Sequence, residues 1–285
     1  MHPTPRLLSF SLLLATVLPA VAAEPGSLFN GKDLAGWETY LGPRYDAEKK
    51  DFAGPHIGLN SDPDKVFSVV EVDGAPAIRI SGQVFGTLAS LAEYENYHLR
   101  VQFKWGEQRW LPRATSRRDS GVLYHSVGKH AAGWFFWMRS QEFQVQEHDC
   151  GDYWAVGGTS IKVPVIKDGP AERPFYNFSL AGTEETFRSG APAGGHVRRS
   201  ADAEKPRGEW NTLDLYCLGA TSLHVVNGVL VMVLRDSEQP DGNGGWLPLT
   251  KGRLQLQSEG AEVYYREITI EPLDRFPDFQ LPPPR

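Results

Sequence analysis

The sequence predicts an all-β fold, a β-sandwich or jelly roll, and three observations carry that prediction. About a dozen short stretches alternate apolar and polar residues with a period of two, as strands wetted on one face do. Between them lie many of the 29 Gly and 21 Pro, and the chain holds 14 Phe, 10 Tyr and 8 Trp, a composition of strands joined by tight turns. No ten-residue stretch has a convincing amphipathic-helix pattern, and no repeat of 20–50 residues is present. A hydrophobic content of 41% over 285 residues is enough for one core. The net charge of −6 argues against a nucleic-acid partner, which needs a basic face; Arg113, Arg117 and Arg118 share one loop and read as solvated.

The N-terminus reads as an export signal. Arg6 precedes the apolar run Leu7–Leu18, too short to span a bilayer comfortably, and Pro19-Ala20-Val21-Ala22-Ala23 offers small residues for cleavage after Ala22 or Ala23. Residues 1–23 are therefore expected to be removed, leaving 24–285 as one domain, exported to the periplasm or beyond. There is no second long apolar run, so no membrane span is expected. A sandwich of this size needs no partner to bury its core, and a monomer is the default. Cys150 and Cys217 lie in this exported part, where an oxidising compartment permits a disulfide between them; strand geometry decides between that and two buried thiols.

Strands are expected at Phe67–Val72 and Ala77–Ile80 around the turn Asp73-Gly74, then at Gly86–Ser90 and Tyr97–Trp105. In the last of these Leu99, Val101, Phe103 and Trp105 face one way, and His98, Arg100, Gln102 and Lys104 the other. A basic loop, 106–118, leads to Ser120–Ser126, where Gly121 implies a close approach by a ligand or a neighbouring strand, and Tyr124 and His125 point to opposite faces. Gly133-Trp134-Phe135-Phe136-Trp137 reads as core packing, with a sugar platform as the alternative. Later strands are expected at 161–166, 210–217, 222–226, 229–234 (the last two joined by Asn227-Gly228), 253–258 and 262–271.

Gln141–Asp149 is the richest of these strands. Phe143 and Val145 take one face; Glu142, Gln144, Gln146 and His148 take the other, followed by the turn Cys150-Gly151-Asp152-Tyr153-Trp154. Carboxylates and amides for hydroxyls, with aromatic faces for a ring, make up a sugar-binding surface. The alternative is a strand merely wetted on one side. Gln102 with Lys104, and Arg253, Gln255, Gln257 and Glu259, form similar polar stripes; if those strands share a sheet, one surface holds carboxylates, a lysine and a histidine. His148 with Glu147, Asp149 and Asp152 could ligate a divalent cation. The usual catalytic signatures, such as Gly-x-Ser-x-Gly and His-Glu-x-x-His, are missing, and Asp241–Gly245 lacks the Glu of a calcium loop.

Several blocks together resemble the 3-keto-disaccharide hydrolase family. They are Leu28-Phe29-Asn30-Gly31-Lys32-Asp33-Leu34-x-Gly36-Trp37, Asp119–His125, Glu142–Glu147, Glu209–Thr212 and Gln257–Ile268. The resemblance implies a concanavalin A-like jelly roll in a secreted protein that acts on glycosides oxidised to a ketone at C3. Such a substrate is cleaved by C2 proton abstraction, β-elimination at C1 and hydration, which needs a base, an enolate stabiliser and an acid. Carried onto this chain, the resemblance implies Lys104, His125, Glu142 and His148 as catalytic candidates, with Lys104 at the enolate. It implies Asp119, Tyr124, Gln144, Gln146, Glu147, Trp154, Gln257 and Glu259 as substrate contacts. A divalent cation such as calcium is an expectation, with Asp149 and Asp152 as its ligands. A lectin-like carbohydrate-binding module is the alternative. A laminarinase-like glycosidase ranks third, because amides stand where its strand motif has Asp.

Overall fold

The computed structural model describes residues 26–279; the expected export signal lies outside them. The first strands are β1 (Gly26–Ser27), β2 (Trp37–Leu41), β3 (Gly58–Leu59), β4 (Phe67–Val72), β5 (Ala75–Ile80), β6 (Gly86–Ser90) and β7 (Tyr94–Glu95). The middle supplies β8 (Tyr97–Arg109), β9 (Asp119–Val127), β10 (Arg139–Gln146), β11 (Tyr153–Val156), β12 (Ser160–Asp168), β13 (Phe175–Phe178), β14 (Thr183–Phe187) and β15 (His196–Val197). The chain closes with β16 (Asn211–Leu218), β17 (Thr221–Val226), β18 (Val229–Pro240), β19 (Trp246–Pro248), β20 (Lys251–Ser258) and β21 (Ala261–Pro272). No helix occurs among the described residues, so none is long and apolar enough to cross a membrane.

These strands build two antiparallel sheets, as the sequence predicts. One has twelve strands along the order β13-β12-β18-β17-β16-β8-β21-β5-β4, with β1, β14 and β19 as side pairings. The other has nine, ordered β15-β11-β10-β9-β20-β6-β2-β3, with β7 beside β20. The core lies between them. Phe143 and Val145 of β10, Val122 of β9 and Leu254 and Leu256 of β20 pack with Leu99, Val101, Phe103 and Trp105 of β8 and Val263 and Tyr265 of β21. Period-two alternation then sends every second residue of β9, β10 and β20 to the outer face of the nine-stranded sheet. That face carries the site.

Half of that face is covered. The segment 128–138, between β9 and β10, lays Phe136 and Trp137 over Leu123, with Phe85 and Val156 around them. Trp137 Nε1 donates to the carbonyl of Gly86 at 3.1 Å, and a side chain at Gly42 would collide with the Phe136 ring. Core packing is thus correct for Phe136 and Trp137. It is not correct for Trp134 and Phe135, which stay 48% and 72% exposed at the tip of the segment.

Two expectations fail at bends. β10 ends at Gln146, so the polar stripe stops there, and His148 sits in the following turn with φ of 68°. Register shifts on both sides of β9, with His125 at φ 49°, mark a bulge. Alternation breaks there: Tyr124 and His125 do not point to opposite faces, and both rings are buried beside the core, 5.3 Å apart, with Tyr97 6.0 Å from His125.

Candidate active site

Three neighbouring strands form the half of the outer face that segment 128–138 does not cover. Glu142 of β10 lies opposite Leu123, Gln144 opposite Gly121 and Gln146 opposite Asp119 of β9; on the other side Leu256 of β20 pairs with Val122, which sets Gln257 beside Gly121. Gly121 is the hinge of this arrangement. A Cβ on it would stand 2.5 Å from Gln257 Oε1 and 2.6 Å from Glu142 Oε1. The bare backbone therefore lets side chains from both flanking strands lean over β9, which is the close approach that the sequence implies.

Three carboxyls gather here, two of them on one guanidinium. Arg113 Nη2 bonds Asp119 Oδ2, and Arg113 Nη1 lies 3.6 Å from Glu259 Oε1. Gln146 Nε2 donates to Asp119 Oδ2 at 2.5 Å. Burial, opposed by Arg113 and Gln146, pushes the Asp119 carboxyl up to about 7. Burial and the nearby Asp119 charge hold Glu142 and Glu259 well above the usual carboxylate range. Glu259 still keeps 16% of its side chain exposed. Asp119 Oδ1, Gln144 Oε1, both amide atoms of Gln257 and Arg113 Nε are buried with no hydrogen-bond partner. Unpaired polar atoms are costly in a folded protein, and their clustering marks a place shaped for something else to bind.

An aromatic rim borders this cluster. Trp154 of β11 is the cross-strand partner of Glu142 and so shares its face. Its ring stacks on His196 at 4.2 Å, and His196 Nε2 lies 2.8 Å from the buried Asp152 Oδ2. Trp134 stands edge-on to Trp154 at 6.2 Å.

Asp119, Glu142, Gln144, Gln146, Trp154, Gln257 and Glu259 therefore share one surface. The other expected residues do not join them. Lys104 points out from the twelve-stranded sheet, on the far side of the sandwich, where Nζ pairs with Asp73 Oδ2 at 2.9 Å. Burial holds His125 neutral, its pKa lowered to about 4, with both ring nitrogens unpartnered in the core. Tyr124 is fully buried; its hydroxyl meets Ser222 Oγ at 2.8 Å and His224 Nε2 at 3.2 Å. His148 is exposed in its turn, and Glu147 is held by Arg118 at 3.1 Å.

The expected metal ligands are poorly disposed for a cation. Asp149 pairs with Arg117 and Arg199, and Asp152 with Arg199 at 3.0 Å. A divalent ion would have to displace those guanidinium groups. Among the described residues no group of three or more His, Cys, Asp or Glu is disposed to hold a metal. Cys150 and Cys217 are both free and buried, which corrects the disulfide. Cys150 sits in the turn after β10, while Cys217 lies near the end of β16 opposite Tyr97 and Ser222, and burial pushes both thiols up.

Sequence reasoning missed Arg113 and His196. The basic loop is not simply solvated: Arg113, Arg117 and Arg118 each pair with an acid. A run of arginines just ahead of Asp119 was the available signal. Nothing near His196 in the chain announces it, because its partners Asp152 and Trp154 lie about forty residues away.

Residues 24–271 match the model of the 3-keto-alpha-glucoside-1,2-lyase-like domain. The chain belongs to that family. No curated protein sequence matches it. Among solved structures it is similar to a candidate glycosyl hydrolase from Parabacteroides distasonis ATCC 8503, at 19% identity over 88% of this chain and 100% of that one, with a TM-score of 0.49. It is also similar to the carbohydrate-binding module CBM66 from Bacillus subtilis, at 13% identity over 72% of this chain and 91% of that one, with a TM-score of 0.40. A third is the β-glucanase of Bacillus licheniformis, at 10% identity over 89% of this chain and 99% of that one, with a TM-score of 0.41. At these levels no residue's role passes from one protein to another. The family membership makes this a carbohydrate-active jelly-roll protein of the glycosidase type.

Proposed function

We propose that this protein, once exported, cleaves the glycosidic bond of 3-keto-glycosides by elimination and hydration at the outer face of the nine-stranded sheet. One observation carries the proposal: Asp119 and Glu259 share the single guanidinium of Arg113, with the buried Glu142 close to both carboxyls, amid amide and guanidinium atoms that have no partner. One positive charge cannot balance three negative ones in a poorly solvated place, so at least one carboxyl keeps its proton near neutral pH. Acid and base forms then stand side by side, which is what proton transfer in both directions requires.

The reaction needs no oxidant, because the substrate arrives as a ketone. The base takes the hydrogen from C2, and the electron pair moves onto the C3 oxygen as an enolate. The pair returns to form the C1–C2 double bond as the C1–O bond breaks, and the departing oxygen takes a proton. Water then adds its hydroxyl to C1 and its hydrogen to C2, so the net change is hydrolysis. Asp119, with its free Oδ1 and a pKa near 7, is suited to be the base. Glu142, kept protonated, is suited to supply the proton to the leaving oxygen. Gln257 Nε2 and Arg113 Nε are unpartnered donors suited to the enolate oxygen.

The test is turnover of a 3-keto-glucoside in deuterated water, beside the unoxidised glucoside, with and without chelator. The expected result is cleavage of the keto substrate alone, with one deuterium at C2 of the released sugar. Cleavage without deuterium, or of both substrates alike, would leave an ordinary glycosidase. Saturable sugar binding with no cleavage would leave a lectin-like module. Loss of activity with chelator would add the divalent cation.

A further inference from the structure

The tip of segment 128–138 combines two costs that a soluble protein normally avoids. Trp134 and Phe135 are consecutive residues with positive φ, 45° and 72°, a region where bulky side chains rarely sit. They are also large apolar side chains left 48% and 72% exposed, while their neighbours Phe136 and Trp137 are buried and anchored. The anchoring turns the tip outward. Gly133 and Trp137 close a tight bridge, with Gly133 N donating to the Trp137 carbonyl at 2.8 Å, so the two residues between the bridge and Phe136 must project.

Where they project is informative. Trp134 stands perpendicular to Trp137 at 5.8 Å and nearly perpendicular to Trp154 at 6.2 Å, so it is wedged between the anchored segment and the face of β11. Trp154 is itself stacked on His196, which Asp152 holds through Nε2. Across the sheet, Trp154 on β11 stands level with Glu142 on β10, and Glu142 in turn leans towards Gly121 on β9, where Gln144, Gln257 and, two residues on, Gln146 with Asp119 lie. Glu142 separates an aromatic half from a polar half. The polar half, with its unpartnered donors and acceptors, suits a sugar ring carrying a ketone and hydroxyls. What lies beyond the proton donor on the opposite side is the group that leaves.

We propose that Trp134, Phe135 and Trp154 form the leaving-group subsite, and that it selects aglycones with a flat apolar face, such as an aryl ring or the CH face of a pyranose. This rests on the reaction proposed above. The contacts of Trp134 with Trp137 and Trp154, and of Trp154 with His196, hold these two rings in place before substrate arrives.

The test compares the wild-type chain with Phe135→Ala and Trp134→Ala on three 3-keto-glucosides, with a nitrophenyl, a glucosyl or a methyl aglycone. Phe135 is the most exposed of the three side chains, so its removal leaves the fold in place. The expected result is a loss of roughly tenfold in kcat/KM for the nitrophenyl substrate, with the methyl substrate within about twofold. A loss confined to the nitrophenyl substrate supports an aryl aglycone; a loss shared by the glucosyl substrate supports pyranose stacking as well. Equal losses on all three substrates, or none, overturn the subsite. Quenching of tryptophan fluorescence by unoxidised phenyl glucoside is read in parallel. If the wild-type chain cleaves nothing, a saturable quench that Phe135→Ala weakens keeps the subsite while the elimination chemistry falls. Absence of a quench removes the subsite as well.

Discussion

Gln255 and Gln257 sit two residues apart on β20 and face the same way, yet their surroundings differ completely. Gln255 lies beneath the anchored segment, where Nε2 donates to Ser126 Oγ at 2.7 Å and Ser140 Oγ at 2.9 Å, and Oε1 accepts from Met138 N at 3.2 Å. Gln257 lies at the other end, beyond the reach of that segment, and neither of its amide atoms has a partner. One glutamine holds the covering segment to the sheet. The other is equally buried and bonds to nothing, beside three carboxyls that burial keeps from ionising freely. The comparison separates polar residues that serve the fold from polar residues that burden it, and the second kind marks the site.

The largest effect is expected at Glu142. Glu142→Gln keeps the shape but removes the proton donor, so turnover of a 3-keto substrate should fall by at least roughly 100-fold. The same change relieves a buried acid and should raise the melting midpoint by roughly 3 °C in calorimetry. Loss of both activity and stability would show Glu142 to be a fold residue like Gln255.

Next comes the glutamine pair. Gln255→Ala strips partners from a buried N–H and two hydroxyls and should cost about 2 kcal/mol in urea unfolding, with kcat/KM of the remaining folded protein little changed. Gln257→Ala should do the reverse, lowering kcat/KM roughly tenfold at nearly unchanged stability. Equal behaviour of the two variants would erase the distinction between the two ends of the face.

Asp119 should show itself through pH. Its carboxyl is raised to about 7 in the folded protein against an ordinary value of 3.8. Between those values the folded protein holds a proton that the unfolded chain releases, so unfolding releases protons and is favoured as pH rises. The contribution to stability is fully present below about pH 4 and is lost through pH 7. Asp119→Asn should flatten that part of the stability curve and leave the variant more stable than wild type at pH 8, by roughly 3 °C in melting midpoint. A steeper decline in the variant would contradict the raised value.

The smallest effect belongs to Lys104. Its partner Asp73 is solvent-exposed, and the pair faces away from the site. Lys104→Ala should leave turnover within about twofold, and a large loss would mean that the far side of the sandwich takes part.

Most of the fold was legible in the chain. Twelve expected strands match β4, β5, β6, β8, β9, β10, β12, β16, β17, β18, β20 and β21 to within a few residues, because alternation is a local property that both sheets obey. The nine other strands, β1, β2, β3, β7, β11, β13, β14, β15 and β19, were not foreseen; each has five residues or fewer, which leaves little periodicity to read, and pairing with neighbouring strands holds them. Of the site, the stripes at Glu142, Gln144, Gln146, Gln257 and Glu259 were legible for the same reason.

The sequence by itself determined which residues of each strand share a face, since that follows from a period of two along one chain. It could not determine which outer face each stripe joins. Lys104 and Glu142 sit in equally good polar stripes, and only the pairing of β8 with β16 and β21, and of β10 with β9 and β11, puts them on opposite sides of the molecule. Tertiary structure also decided what burial does. It left Tyr124 and His125 in the core at a bulge, kept the two thiols apart, brought Arg113 across to Asp119, and joined His196 to a carboxyl far away in the chain. Each of these depends on contacts between distant segments, and distance along the chain carries no trace of them.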